Sequence, residues 1–282
     1  MGRSFLAQTL TLALAGLAVL AAAPAGAVSL QHLWTLTGLE DPESAAISAD
    51  GKTFYVANVA GEGDAADGRG FISRVSRDGT MLQKEWVGGM DAPKGGIVAG
   101  TRLFVSDITR LVEIDIPTAR IVARYPAPGA KFLNDVAVLP DGIVVVSDSG
   151  TARIYALKAG RLQVWAEGPL LAAANGLLPE KDRLVVATMA SRLLALDYKT
   201  HAITVLAQGI GDGDGLAALG GGRYLVSAWP GQLFEVAPDG KLTTLIDSRK
   251  AGTYINDLII VGDTLILPHM KPGSLEALRI IR

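Results

Sequence analysis

The sequence predicts an all-β fold closed on itself, and three observations carry that expectation. A unit of strand-forming residues recurs six times, its period stays near 40 residues, and one strand is displaced from the last unit to the front of the chain. Each unit opens on a polar residue and a short apolar run, turns through Gly or Asp, and continues into a second apolar run. In chain order the pairs are Glu43–Ile47 with Phe54–Asn58, Lys94–Val98 with Leu103–Asp107, and Asn134–Val138 with Val144–Asp148. Then come Asn175–Leu178 with Leu184–Thr188, Asp214–Ala218 with Tyr224–Ala228, and Asn256–Ile260 with Leu265–His269. The openings lie 51, 40, 41, 39 and 42 residues apart. Strand-length apolar runs at this period read as the blades of a six-bladed β-propeller.

Two further strands complete each unit. Third strands are expected at Phe71–Val75, Leu111–Ile114, Arg153–Leu157, Arg192–Leu196, Gln232–Val236 and Leu275–Ile280. Asp78-Gly79 and Asp239-Gly240 follow two of them, turn pairs that exploit the tolerance of Gly for positive φ. Fourth strands are expected at Gln83–Val87, Ile121–Tyr125, Leu162–Ala166, Ile203–Ala207 and Lys241–Ile246, one too few for six blades. The missing one matches Gln31–Thr37, ahead of the first blade. An N-terminal strand that completes the last blade closes the ring and removes the open sheet edges of an unclosed array.

Residues 1–27 stand apart from this frame. Arg3 is their only charge, an apolar stretch runs from Leu6 to Ala23, and Ala25-Gly26-Ala27 offers small residues for cleavage, the order of a secretory signal peptide. An uncleaved anchor is the alternative, since about 18 apolar residues just span a bilayer. The expectation is a periplasmic or secreted domain over residues 28–282, without stable membrane insertion once the signal is removed. The chain has 26 Lys+Arg and 28 Asp+Glu, a net charge of −2, and no basic stripe, which argues against a nucleic-acid partner. It has no cysteine, so an exported domain must draw its stability from a large closed core rather than from disulfides.

In a propeller the first strand of each blade lines the central channel, and the second strand returns to the same face. An inner ring of Glu43, Lys94, Asn134, Asn175, Asp214 and Asn256 is therefore expected around the mouth, with Asn58, Asp107, Asp148, Thr188, Ala228 and His269 behind it. Five inner positions carry side-chain oxygens, and none is a thiol or an imidazole. Hard oxygen donors suit Ca²⁺ better than zinc.

At these residues the chain resembles the gluconolactonase / senescence marker protein (regucalcin) family of calcium-dependent six-bladed propellers. The resemblance spans essentially all of residues 28–282 and rests on Glu43 in blade one, Asn175-Gly-Leu in blade four and Asp214-Gly-Leu in blade five. It implies that Glu43, Asn175 and Asp214 bind the metal, that Asp214 is also the catalytic base, and that Asn134 lies near metal and substrate. One position departs: where the family's sugar-lactone enzymes carry arginine, two residues before the blade-three asparagine, this chain has Phe132. A ligand less polar than a sugar is expected. Lys94 beside Glu43 is a second departure, either a partner for that carboxylate or a holder of an anionic ligand group. Asp148 and His269 complete the expected substrate-binding set with Phe132, Asn134 and Lys94.

Weaker signals frame the alternatives. Gly61–Gly70 is a Gly/Asp-rich insertion leaving from the mouth, a surface loop or a lid. Asp212-Gly-Asp214-Gly shares only the opening of an EF-hand loop and lacks its closing Glu. No Gly-x-Ser-x-Gly elbow, His-Glu-x-x-His helix or phosphate loop is present. Three functions fit: a hydrolase of a lactone or related ester that depends on calcium or another divalent ion, a ligand- or protein-binding propeller with a structural metal, and a carrier or synthase relative. Fold alone does not choose among them.

Overall fold

Strands packed between two other sheets must be apolar on both faces, whereas a strand at a blade's outer edge needs only one apolar face. Both patterns occur within each blade. Val144–Asp148 is buried along its whole length, while Arg120–Pro126 alternates between exposed and half-buried residues. The computed structural model describes residues 26–282, so the expected signal peptide lies almost wholly outside the described residues.

The chain opens with β1 (Ser29–Thr37). Blade one holds β2 (Pro42–Ile47), β3 (Thr53–Asn58), β4 (Gly70–Ser76) and β5 (Met81–Met90), and blade two β6 (Pro93–Ala99), β7 (Arg102–Asp107), β8 (Arg110–Asp115) and β9 (Arg120–Pro126). Blade three holds β10 (Leu133–Val138), β11 (Val144–Asp148), β12 (Arg153–Lys158) and β13 (Arg161–Glu167), and blade four β14 (Ala174–Pro179), β15 (Arg183–Thr188), β16 (Arg192–Asp197) and β17 (Ile203–Gln208). Blade five holds β18 (Asp212–Gly220), β19 (Arg223–Trp229), β20 (Gln232–Val236) and β21 (Leu242–Asp247). Blade six holds β22 (Ile259–Val261), β23 (Thr264–His269) and β24 (Ser274–Ile281). Blades one to five run in sequence order, and the sixth runs β1-β24-β23-β22. The fold is a six-bladed β-propeller.

Closure follows the expected route. β1 pairs antiparallel with β24 from Ser29↔Ile281 to Thr37↔Ser274, with an irregularity between His32 and Trp34. The buried Val28 N–H donates to Glu235 Oε2 at 2.8 Å, which fastens the strand's start to blade five. Blade six differs from expectation in one respect: β22 is short, and Asn256 and Asp257 precede it outside any strand. Pro268 faces this segment and has no N–H to donate. Its carbonyl instead accepts from Asn256 N at 3.3 Å.

The core is divided into interblade layers. One cluster, with Phe54, Val56, Val75, Ile266 and Leu275, joins blades six and one, and Trp34 and Leu36 of β1 pack against it. Equivalent clusters join the other neighbours, such as Val145, Ile154, Leu184 and Leu194 between blades three and four. Side chains of this size each contribute about 1.5–3 kcal/mol when fully buried. Closure therefore adds a sixth layer that an open array of five interfaces would lack.

A chain beginning at Gly38 loses β1 and leaves β24 as a bare edge beside a partly uncovered apolar layer. Light scattering should find it associated or aggregated; a monodisperse monomer with the full-length melting temperature would contradict the closure role of β1.

Candidate functional site at the channel mouth

Five of the six inner-ring residues sit in β-bulges. Pairing of the first and second strands is interrupted between Pro42 and Ser44, Pro93 and Gly96, Leu133 and Val136, Ala174 and Leu177, and Gly213 and Leu216. Glu43, Lys94, Asn134, Asn175 and Asp214 all fall inside these interruptions, where a bulge re-aims a side chain out of the regular alternation. Their backbone is fixed by bonds between blades. Ser44 Oγ donates to Lys94 O at 2.6 Å, Ser106 Oγ to Asn134 O, and Ser227 Oγ to Asn256 O at 2.5 Å. Asp257 N donates to Glu43 O at 3.3 Å and ties blade six to blade one.

A cavity of about 220 Å³ opens at this mouth. Its floor brings together Glu43, Lys94, Asn134, Asn175, Asp214 and Asn256, and its wall includes Phe132. The structure thus gathers six of the eight predicted site residues, and every inner-ring side chain is buried.

Asp148 and His269 are not among them. Asp148 is fully buried behind the wall, where its carboxylate accepts from Phe132 N at 2.9 Å, Lys131 N at 3.2 Å, Gly150 N at 3.0 Å and Thr151 Oγ1 at 2.5 Å. His269 Nδ1 donates to Tyr254 O at 2.9 Å, and its Nε2 lies 3.0 Å from Glu276 Oε2. Asn58 and Asp107 do similar work, accepting from Glu40 N at 3.0 Å and from Ala92 N at 2.8 Å. Four of the six outer-ring residues therefore hold the loops that lead into the first strands. Successive strand residues face opposite ways, and at four of the six second-ring positions the next residue meets the cavity: Val59, Met189, Trp229 and Met270. That apolar rim was readable in the sequence one position further on.

Two more channel residues escaped the sequence analysis. Asp135 and Asp257 follow inner-ring asparagines and line a second cavity, of about 660 Å³, further along the channel. Asp135 accepts from Leu177 N at 2.7 Å and Val136 N at 2.7 Å, and Asp257 from Leu258 N at 2.7 Å. Their signal is the Asn-Asp pair at two blade starts, where blades two, four and five have Gly and blade one has Ser44. A Cβ on Gly95 would stand 2.5 Å from Asp135 Cα and 2.7 Å from its Oδ1, and one on Gly215 would stand 2.3 Å from Leu258 N and 2.7 Å from Asp257 Cα, so these glycines make room for the backbone of the next blade.

The channel is thus crowded with acid. Burial raises the Glu43 pKa well above the usual range, aided by the Asp214 and Asp135 charges and opposed by Lys94. Burial and the Asp135 charge push Asp214 up to about 7, opposed by the Asn175 side chain. Asp135 is pushed to about 7 by burial, against the Leu177 and Val136 N–H groups. Asp257 is raised by burial and then by the Asp135, Glu43 and Asp214 charges. Burial pushes the Lys94 ammonium down, opposed chiefly by Glu43.

Three buried oxygens at the mouth accept no protein hydrogen bond: Glu43 Oε2, Asn175 Oδ1 and Asn256 Oδ1. Among the described residues no three Asp, Glu or His side chains group around one point, so an ion here would be held by two carboxylates and amide oxygens. This oxygen-only set of orphaned acceptors fits a hard cation.

No protein-family model matches the sequence, and neither does any curated protein sequence. Solved structures do share the fold. A structural-genomics target assigned as a gluconolactonase is similar at 18% identity and a TM-score of 0.65, over 92% of this chain and 94% of that one. A streptogramin B lyase is similar at 11% identity and a TM-score of 0.63, over 90% and 98%. The virginiamycin B lyase of Staphylococcus aureus, in a catalytically inactive form with quinupristin, is similar at 13% and 0.62, over 90% and 100%. The chain therefore has the six-bladed architecture of both groups, and at these identities the likeness is one of fold.

Two substitutions test the site's framework. Gly215→Ala should lower the unfolding free energy by about 1–3 kcal/mol through overpacking against Asp257, read by urea denaturation. Asp148→Ala should cost about 1–3 kcal/mol by orphaning buried N–H groups. Its effect on ligand affinity should be traceable to the Phe132 loop; full stability in this variant would return Asp148 to the candidate ligand-binding set.

Proposed function

We propose that the mouth is the active site of a calcium-dependent hydrolase acting on a lactone or related ester of low polarity. The observation that carries this reading is the set of orphaned oxygens Glu43 Oε2, Asn175 Oδ1 and Asn256 Oδ1 beside Asp214, on the floor of an apolar-walled cavity. Glu43, Asn175 and Asp214 would hold the ion, with Asn256 as a further oxygen donor. When bound, a divalent ion supplies Lewis-acid polarisation of the ester carbonyl.

The chain's own residues supply the rest. Asp214 takes the proton from water as its oxygen bonds to the carbonyl carbon, and returns it to the alkoxide as the ring C–O bond breaks. Asn134 Nδ2 lies 3.3 Å from Ser149 Oγ, which orients its amide at the cavity edge. Phe132, Met189, Trp229 and Met270 exclude water and offer apolar surface but few groups for a sugar's hydroxyls. The regucalcin-like ligand set and export through residues 1–27 belong to the same proposal.

The orphaned oxygens come from blades one, four and six, so an ion holding them would also brace the ring. This favours a second reading, a binding propeller with a structural metal. Melting and turnover separate the two. Under both, Ca²⁺ should raise the melting temperature by mass action, and Asp214→Ala should abolish the rise. Under the hydrolase reading alone, small aliphatic or aromatic lactones should be hydrolysed in a Ca²⁺-dependent way and faster than aldonolactones. Phe132→Arg should shift the preference toward the sugar lactones. Unchanged melting with millimolar Ca²⁺, Mg²⁺ and Zn²⁺ would dismiss the metal altogether.

A further inference from the structure

The segment from Ala60 to Arg69 leaves the end of β3, crosses the mouth and returns to β4. Its two ends are tied down: Ala60 N donates to Glu40 O at 3.2 Å, and Gly68 N to Asp91 Oδ1 at 3.0 Å. Between them, among the described residues, a single hydrogen bond fastens the loop to the body of the protein. Lys94 Nζ donates to Gly63 O at 2.6 Å. Gly63 itself lines the ligand cavity, and a Cβ there would stand 3.9 Å from Phe132 Cζ. The loop thus covers the cavity, and its fastening comes from the cavity floor.

The ammonium that makes this bond has no carboxylate partner within ion-pair distance among the described residues. It donates also to Ala92 O at 3.1 Å and stands 4.3 Å from the centroid of the Phe132 ring. Its acceptors are therefore two neutral carbonyls, leaving one of its three N–H groups without a protein acceptor. A carboxylate in the cavity would be a stronger acceptor, since a bond with both partners charged is roughly twice as strong as a neutral one. Glu43, Asp107 and Asp64 favour the charged ammonium only from beyond ion-pair distance, and the attraction grows as the separation falls, so a carboxylate at contact would outweigh each of them.

We infer that residues 61–67 form a lid latched by the bond between Lys94 Nζ and Gly63 O, and that a small organic carboxylate in the cavity releases it by taking the ammonium. The apolar wall of Phe132, Met189, Trp229 and Met270 fits the body of such an acid, and Lys94 fits its charged end. Resting on the hydrolase reading, the latch acquires a direction. A neutral lactone leaves Lys94 on Gly63 and the lid closed over the reaction. Ring opening creates one carboxylate, which draws Lys94 away and frees the lid for product release. Water adds its oxygen to the acyl carbon and the ring C–O bond breaks; one water proton passes through Asp214 to the alkoxide, and the other leaves the new acid for solvent, so the product is a carboxylate at neutral pH.

Hydrogen exchange on the full chain tests the latch without metal or turnover, using phenylacetate and its neutral counterpart phenylacetamide at millimolar concentration. Phenylacetate should speed amide exchange in 61–67 about tenfold, equivalent to about 1.4 kcal/mol in the opening equilibrium, while phenylacetamide leaves it unchanged. Lys94→Met should show the faster exchange with no additive and no further response to phenylacetate. Equal exchange with both compounds, or no response to phenylacetate, overturns the inference, and so does a folded Lys94→Met variant with wild-type exchange in the loop. If that variant does not fold, the two compounds on the wild type decide alone. A positive exchange result with no lactone turnover would leave a carboxylate-gated lid on a binding protein. Turnover without the exchange response would leave the hydrolase without its latch.

Discussion

The pairing of β1 with β24 is the contact on which the channel depends. Without it, blade six has three strands and an open edge, and the layer around Phe54, Val56 and Leu275 loses its cover from Trp34 and Leu36. Six first strands share one axis only because the sixth blade meets the first. Hydrogen bonds such as Asp257 N to Glu43 O then set the ring residues at fixed positions around that axis. With no cysteine available, cooperative closure takes the place of covalent cross-links.

Closure also creates an electrostatic problem. It concentrates Glu43, Asp135, Asp214 and Asp257 in a narrow channel away from bulk water, with Lys94 as the opposing charge. Burial makes each ionised carboxyl unfavourable, and mutual repulsion adds to that cost. Backbone N–H groups relieve Asp135 and Asp257, on the side where the channel widens into the larger cavity. At the mouth the relief is incomplete, and Glu43 Oε2 has no donor. Buried polar groups left in that state are unusual enough to mark a place for a ligand, here read as a cation.

Lys94 connects the floor to the cover of the same cavity. Its stem rises from the bulge of blade two, its ammonium lies over the Phe132 ring, and its hydrogen bond ends on the loop from blade one. One side chain thus senses both the acid ring below and the loop above. Phe132 suits this arrangement: an arginine there would stand beside Lys94, and like charges in a buried site repel.

The sequence by itself determined the blade number, the strand order within each blade and the inner ring, because a six-fold period and alternating polarity are local properties of the chain. It put Glu43, Lys94, Asn134, Asn175 and Asp214 around the mouth, where they line one cavity, for the same reason: each opens its repeat. It grouped Asp148 and His269 with the substrate-binding residues, whereas the fold keeps them out of the cavity lining, and it did not name Val59, Met189, Trp229, Met270, Asp135 or Asp257. A polar residue at a strand end looks alike whether it faces a ligand or caps a loop, and one residue of register reverses the side chain. Only the tertiary structure decided those directions, through bulges whose extra residue is invisible in apolar periodicity. It alone brought Gly63 to Lys94, a contact between residues of different blades, since neither repeat carries any record of what the other lays across its mouth.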